Sequence, residues 1–153
     1  MDLEKTIREF ISNLCTALDQ SNFTDYLALC HASFNYRITV YSPEIRKDML
    51  WLEKDKDGMS ALIDLLPKQN LDSTPLTRHF NLCTVVPSDE KDKYNVRSTV
   101  QVYRTEHEGG TTSLVAIGEY IDVIHVDSSS TLLVDREVRL QTRMLGKGYH
   151  VPF

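Results

Sequence analysis

The sequence predicts an α+β fold in which a strongly curved antiparallel sheet wraps around a long N-terminal helix. Three observations carry that expectation. Apolar residues recur at three- and four-residue steps through the first 30 positions, the period of a helix with one buried face. From Leu76 onward they alternate with polar residues in four long runs, the period of strands. The runs are joined by short polar turns, so neighbouring strands should be antiparallel. Helices gathered ahead of a strand meander are the α+β arrangement. A sheet bent over the first helix buries the apolar face of each.

The elements follow in order. Leu3, Ile7, Phe10, Ile11, Leu14 and Leu18 form the stripe of the first helix, which Asp2 can cap. The stripe ends at Asp19-Gln20-Ser21-Asn22, and Asn22 is placed to cap a second, short helix. Phe23, Tyr26, Leu27 and Cys30 mark its buried side. Phe34, Tyr36, Ile38 and Val40 alternate with polar residues and predict a half-buried strand. Ser42-Pro43-Glu44 has the form of a helix start, with a capping serine, proline at the first helical position and an acid behind it. Ile45, Met49 and Leu52 would continue that helix. Residues 53–58 are a mixed-charge break, after which Met59, Leu62, Ile63 and Leu66 predict a helix ended by Pro67. Residues 68–75 are a polar linker. The four strands are expected at 76–87, 93–107, 111–126 and 131–144, long enough to need bulges. Glu108-Gly109-Gly110 supplies glycines for a hairpin turn.

The composition bounds the function. A chain of 153 residues can bury about two-thirds of its surface, enough for a single domain over 1–153 with one core. Its net charge of −5 disfavours nucleic acid as a partner. Cys15, Cys30 and Cys83 are odd in number and widely spaced, which argues against a disulfide framework or a zinc ribbon. No basic leader precedes an apolar run, and no apolar stretch is long enough to span a membrane. A reduced, cytoplasmic protein is the expectation.

Strong catalytic motifs are absent from the sequence: no glycine-rich phosphate loop, no nucleophile elbow and no paired metal-binding histidines. Two weaker constellations remain. Tyr36, His79 and Asp122 lie on strands that could point into a cone-shaped pocket, where a buried carboxylate would serve as a general base. That is the chemistry of a stand-alone isomerase or dehydratase. Arg136 falls on the apolar parity of the last strand with Leu132, Val134, Val138 and Leu140. An arginine there is costly unless it meets a carboxylate, for which Asp122 is a candidate, or the strand bulges, and it could equally reach a partner chain. The other parity of that strand is polar, and 138–153 carries Arg139, Arg143 and Lys147 without an acid before ending in Tyr149-His150-Val151-Pro152-Phe153. Such a tail either folds back on its own sheet or anchors on another chain.

Leu76-Thr77-Arg78-His79-Phe80-Asn81-Leu82-Cys83-Thr84-Val85 resembles the Arg-His strand of the small (β) subunits of Rieske-type ring-hydroxylating oxygenases. Ala17-Leu18-Asp19, Phe34-Asn35-Tyr36 and the strand from Leu132 to Leu145 are similar to the turn, first strand and last strand of that family. Trp51-Leu52-Glu53-Lys54-Asp55 stands where many ring-hydroxylating members carry Tyr-Asp-Asp. With Tyr41-Ser42-Pro43-Glu44-Ile45-Arg46, it looks more like the methanesulfonate monooxygenase branch. The resemblance implies a cystatin-like or nuclear-transport-factor-like cone. It also implies a structural, non-catalytic subunit that stabilises catalytic large subunits in a hydroxylase oxidising an aromatic ring or an alkanesulfonate. Assembly would be three large plus three small subunits, so like small subunits are partners too. The Rieske [2Fe-2S] cluster and the mononuclear iron would sit in the large subunit, with no cofactor in this chain. Arg78, His79, Arg139, Arg143, Tyr149 and Phe153 are the interface candidates on this reading.

Overall fold

In the computed structural model, residues 2–69, 75–143 and 152–153 are described. Helix α1 spans Leu3–Asp19. The Asp2 carboxylate accepts from the Lys5 amide at 3.1 Å and closes its first turn. Ile7, Phe10, Ile11, Leu14 and Leu18 are buried along one stripe, as their spacing predicts. Ser21 turns the chain at φ 55°. Asn22 then accepts from the Asp25 amide and starts α2, Phe23–Ala28.

Strand β1 runs from Cys30 to Ser42, longer than the alternation at 34–40 predicts. The chain then departs from expectation. Pro43–Arg46 is a tight turn with Arg46 at φ 55°, and Lys47–Asp55 is strand β2, antiparallel to β1. Ser-Pro-Glu fits a turn as well as a helix start, because proline presets the same φ in both. Here the open edge of β1 decides. Met49 and Leu52 pair with Val40 and Ile38 rather than forming a helical stripe. The charged run at 53–58 is no break either. It holds the end of β2 and the start of α3, Lys56–Gln69, whose Gly58 amide donates to the Asp55 carboxylate at 2.7 Å. The helix continues two residues past Pro67.

Strands β3 (Leu76–Pro87), β4 (Lys93–Thr105), β5 (Thr112–Val126) and β6 (Thr131–Leu140) form the expected antiparallel meander. Gly109 and Gly110 adopt φ 76° and 64° in the β4–β5 turn, where a side chain would be strained. β6 stops four residues short of the expected 144. β1 then pairs in parallel with β6, giving the order β2-β1-β6-β5-β4-β3. Register shifts interrupt every strand pairing, the bulges that bending such long strands requires. One of them corrects an assignment. Val123 pairs with Asp135 but Ile124 with Leu133, so Val134 is the extra residue. Upstream of it the parity flips: Leu133 is buried, while Leu132 and Val134 are half-exposed.

The concave face of the sheet closes over α1. Phe34, Tyr36, Val100, Val102, Tyr120, Ile124 and Val138 form one core with the helix stripe. Among the described residues no helix is long and apolar enough to cross a membrane.

Candidate functional site in the cone and on its outer face

Strand alternation sorts the candidate residues. Along β5, Ala116, Gly118, Tyr120, Asp122, Ile124 and Val126 point inward. Along β1, Phe34 and Tyr36 do the same. Along β3, Arg78 points inward while Thr77 and His79 lie on the outer face. Tyr36 and Asp122 therefore share the interior, and His79 is on the other side of the sheet.

Asp122 is not a free base. Arg136 Nε and Nη2 donate to its two oxygens at 2.9 Å each, and both side chains are wholly buried. Register makes the pair, since the two residues are directly opposite across β5 and β6. Burial pushes the Asp122 carboxyl above the usual carboxylate value, while the charge and hydrogen bonds of Arg136 pull it back. The guanidinium also lies 3.7 Å from the centroid of the Tyr120 ring, a cation–π contact in a dry setting. Burial holds the Tyr36 phenol up at about 12 and raises Tyr26 and Tyr120 as well, so all three stay neutral. Burial likewise lifts the Cys30 thiol to about 12, with Sγ 3.3 Å from the Tyr26 carbonyl. The polar centre is an ion pair, neutral phenols and a protonated thiol, with the Tyr26 hydroxyl and Arg136 Nη1 buried without a hydrogen-bond partner among the described residues, and it holds no aligned acid and base. The dehydratase or isomerase constellation of Tyr36, His79 and Asp122 is thus not assembled.

Two interface candidates are also inside. Phe153 is 1% exposed. Its amide donates to the Tyr36 hydroxyl at 2.9 Å, and its main-chain oxygen accepts from the Tyr120 hydroxyl. Arg78 has a side chain 1% exposed, with Nη1 2.7 Å from Asp19 and Nη2 2.7 Å from the Pro152 carbonyl. Both residues are therefore internal and not exposed anchors. Asp19 escaped the sequence reading. The available signal was a carboxylate in the last turn of a helix, where the dipole disfavours it unless a cation is near. Asp19 also accepts from the Arg78 backbone amide at 3.1 Å, tying the end of α1 to β3.

The outer face carries the rest. His79 stacks edge-to-face on Tyr103, ring centroids 5.5 Å apart. The two line a shallow groove of about 410 Å³ with Thr77, Gln101, Thr105 and Thr112. Across the outer face of β1, β2 and β6 the polar row is paired. Arg37 meets Asp135 at 3.0 Å, Thr39 donates to Glu137 at 2.6 Å, and Arg139 meets Asp48 at 2.8 Å. Arg143 meets Glu44 at 2.7 Å. Tyr149 lies outside the described residues. Among the described residues no group of three or more His, Cys, Asp or Glu could hold a metal ion.

The family model described as ring hydroxylating beta subunit matches residues 15–147. The chain belongs to this family. It is 35% identical over 158 residues to the methanesulfonate monooxygenase hydroxylase subunit beta of Methylosulfonomonas methylovora, covering 99% of this chain and 87% of that protein. It is 34% identical over 147 residues to the 2-aminobenzenesulfonate 2,3-dioxygenase subunit beta of an Alcaligenes species, covering 96% and 97%. The fold matches the crystal structure of the benzoate 1,2-dioxygenase beta subunit of Burkholderia mallei ATCC 23344 at TM-score 0.71 and 17% identity, covering 99% and 98% of the two chains. Family members thus share the α+β cone and its curved sheet. The expectations of family and fold drawn from the Arg-His strand hold, although Arg78 within it serves the interior.

Proposed function

We propose that the chain is the structural small subunit of the hydroxylase component of a Rieske-type oxygenase that oxidises an aromatic ring or an alkanesulfonate. It would hold catalytic large subunits in a closed ring, three of each, and contribute no group to the oxidation. The observation that carries this reading is the pair of near-full-length relatives, both beta subunits of oxygenases named for sulfonates. The engaged state of Asp122 supports it, because a cone enzyme would need that carboxylate free. The iron–sulfur cluster and the mononuclear iron would belong to the large subunit.

A closed ring needs two different patches on each chain. The His79–Tyr103 groove is one candidate, its rings offering rigid contact area. The Arg139 and Arg143 guanidiniums are the other. They are one-third to one-half exposed, so a partner carboxylate could compete for their bidentate forks. Tyr149 belongs with them on the sequence argument alone.

Co-production with the large subunit of an oxygenase of this kind tests the proposal. The two chains should purify together, with iron and acid-labile sulfide tracking the large chain. Replacing His79, Arg139 and Arg143 together by alanine should weaken association by about tenfold or more, the effect of losing a hot spot. A chain that never co-purifies, or that transforms small ketones alone, would overturn it.

A further inference from the structure

The interior of the cone makes a set of contacts that sheet formation does not require. Tyr36 and Tyr120 come from β1 and β5, on opposite sides of β6 in the sheet order. Together they read two main-chain atoms of one residue: the Tyr36 oxygen accepts from the Phe153 amide, and the Tyr120 hydroxyl donates to its main-chain oxygen. Arg78, from β3 at the far edge, reads the carbonyl before it, on Pro152. The Phe153 side chain joins the apolar core. Three buried polar groups on three strands thus converge on two residues that belong to no strand or helix. Hydrogen bonds among fully desolvated partners are specific, since a buried donor or acceptor left without its partner has no water to replace it.

We propose that the cone is a binding site for an aromatic group carrying an adjacent amide or carboxyl, and that Pro152-Phe153 occupies it as a built-in ligand. Tyr36, Tyr120 and Arg78 supply recognition, and the apolar lining takes the ring. Arg78 is held in place for this by Asp19, which takes its Nη1 and leaves Nη2 directed at the carbonyl. The site is closed in this state. It opens to a small arylalkanoic amide or acid when Phe153 withdraws or is truncated. This goes beyond the subunit role and stands whether or not the large subunit is the partner.

The test uses the full chain with Phe153→Ala, in whatever assembly it purifies in, and two probes: N-acetyl-prolyl-phenylalanine amide and 3-phenylpropanoate. Either probe, at saturation, should raise the Tm of the variant by several degrees and leave the wild type unmoved, because its site is filled. Adding Tyr120→Phe to Phe153→Ala should weaken probe binding about tenfold while keeping the ring's shape. A folded Phe153→Ala chain that neither probe stabilises would overturn the proposal, as would equal stabilisation of the wild type. If Phe153→Ala does not fold, the wild type decides. 4-Fluorophenylalanine at position 153 should give a fluorine resonance shielded from a soluble paramagnetic chelate. A resonance broadened as fully as that of an exposed ring would sink the built-in ligand.

Discussion

Asp122 and Arg136 show how a residue's role depends on what faces it. Each is an expensive side chain to bury, and each is tolerable because register places the other directly across. Removing one partner is therefore worse than removing both. Arg136→Met should destabilise the chain by about 3–5 kcal/mol, read as a fall in the urea midpoint, because Asp122 is left charged and dry. Adding Asp122→Leu to that variant should restore most of the loss. If the double variant is as unstable as the single one, the pair does more than neutralise itself. Parity on the last strand exposed Arg136 as anomalous in the sequence, and the same parity on β5 pointed to Asp122. Nothing comparable pointed to Arg78, because an arginine beside a histidine on an amphipathic strand reads equally well facing either way.

The β-elements depend on short-range devices that can be broken singly. Gly118 sits where β5 passes β6, and a Cβ there would lie 2.2 Å from the Arg139 carbonyl oxygen and 2.9 Å from Leu140 Cα. Both are backbone atoms, so the strands must separate. Gly118→Ala should cost at least about 1–3 kcal/mol and lower the Tm accordingly. The β5–β6 turn rests on Asp127, which accepts from the Ser129 and Ser130 amides and from His125 Nε2. The His125 hydrogen bond first, then those of Ser129 and Ser130, holds its carboxyl far below the usual carboxylate range. A depressed carboxylate stabilises the fold above its unfolded value of about 4, and that contribution fades as the pH falls toward the folded value. The gap in Tm between wild type and Asp127→Asn should therefore be open at pH 7 and narrow steadily below about pH 4. A gap unchanged by pH would contradict the assignment. At this scale the hairpin at 43–46 was the failure of sequence reading. Its helix-start residues are real, but they do not record that β1 had an unpaired edge.

For the molecule as a whole, the buried phenols set an alkaline limit. Tyr26, Tyr36 and Tyr120 are fully buried and raised, Tyr36 to about 12, chiefly by desolvation. An unfolded tyrosine ionises near 10. A raised folded value means the stabilisation is complete below about pH 10 and is lost as the pH rises toward 12. Over that interval Tyr36 alone accounts for about 3 kcal/mol. The urea midpoint should fall steeply between pH 10 and 12, and less steeply in Tyr36→Phe. Equal slopes in the two proteins would show that Tyr36 is not sealed in the cone. The tail enters here too, because Phe153 and Pro152 help to keep water from the phenols.

The sequence by itself determined the class of fold, the capped helices α1 and α2, the meander from Leu76, and the family through its Arg-His strand. These are local properties: period, caps and turn glycines act within a few residues of chain. The tertiary structure alone decided that residues 47–55 form a strand, that β1 lies parallel to β6, that Val134 bulges out, and that Arg78 and Phe153 face inward. Each of those depends on a pairing partner that the local pattern does not name, such as Asp19, 59 residues from Arg78, and Tyr36, 117 residues from Phe153. Alternation along a strand gives two faces but does not say which one the rest of the chain will cover.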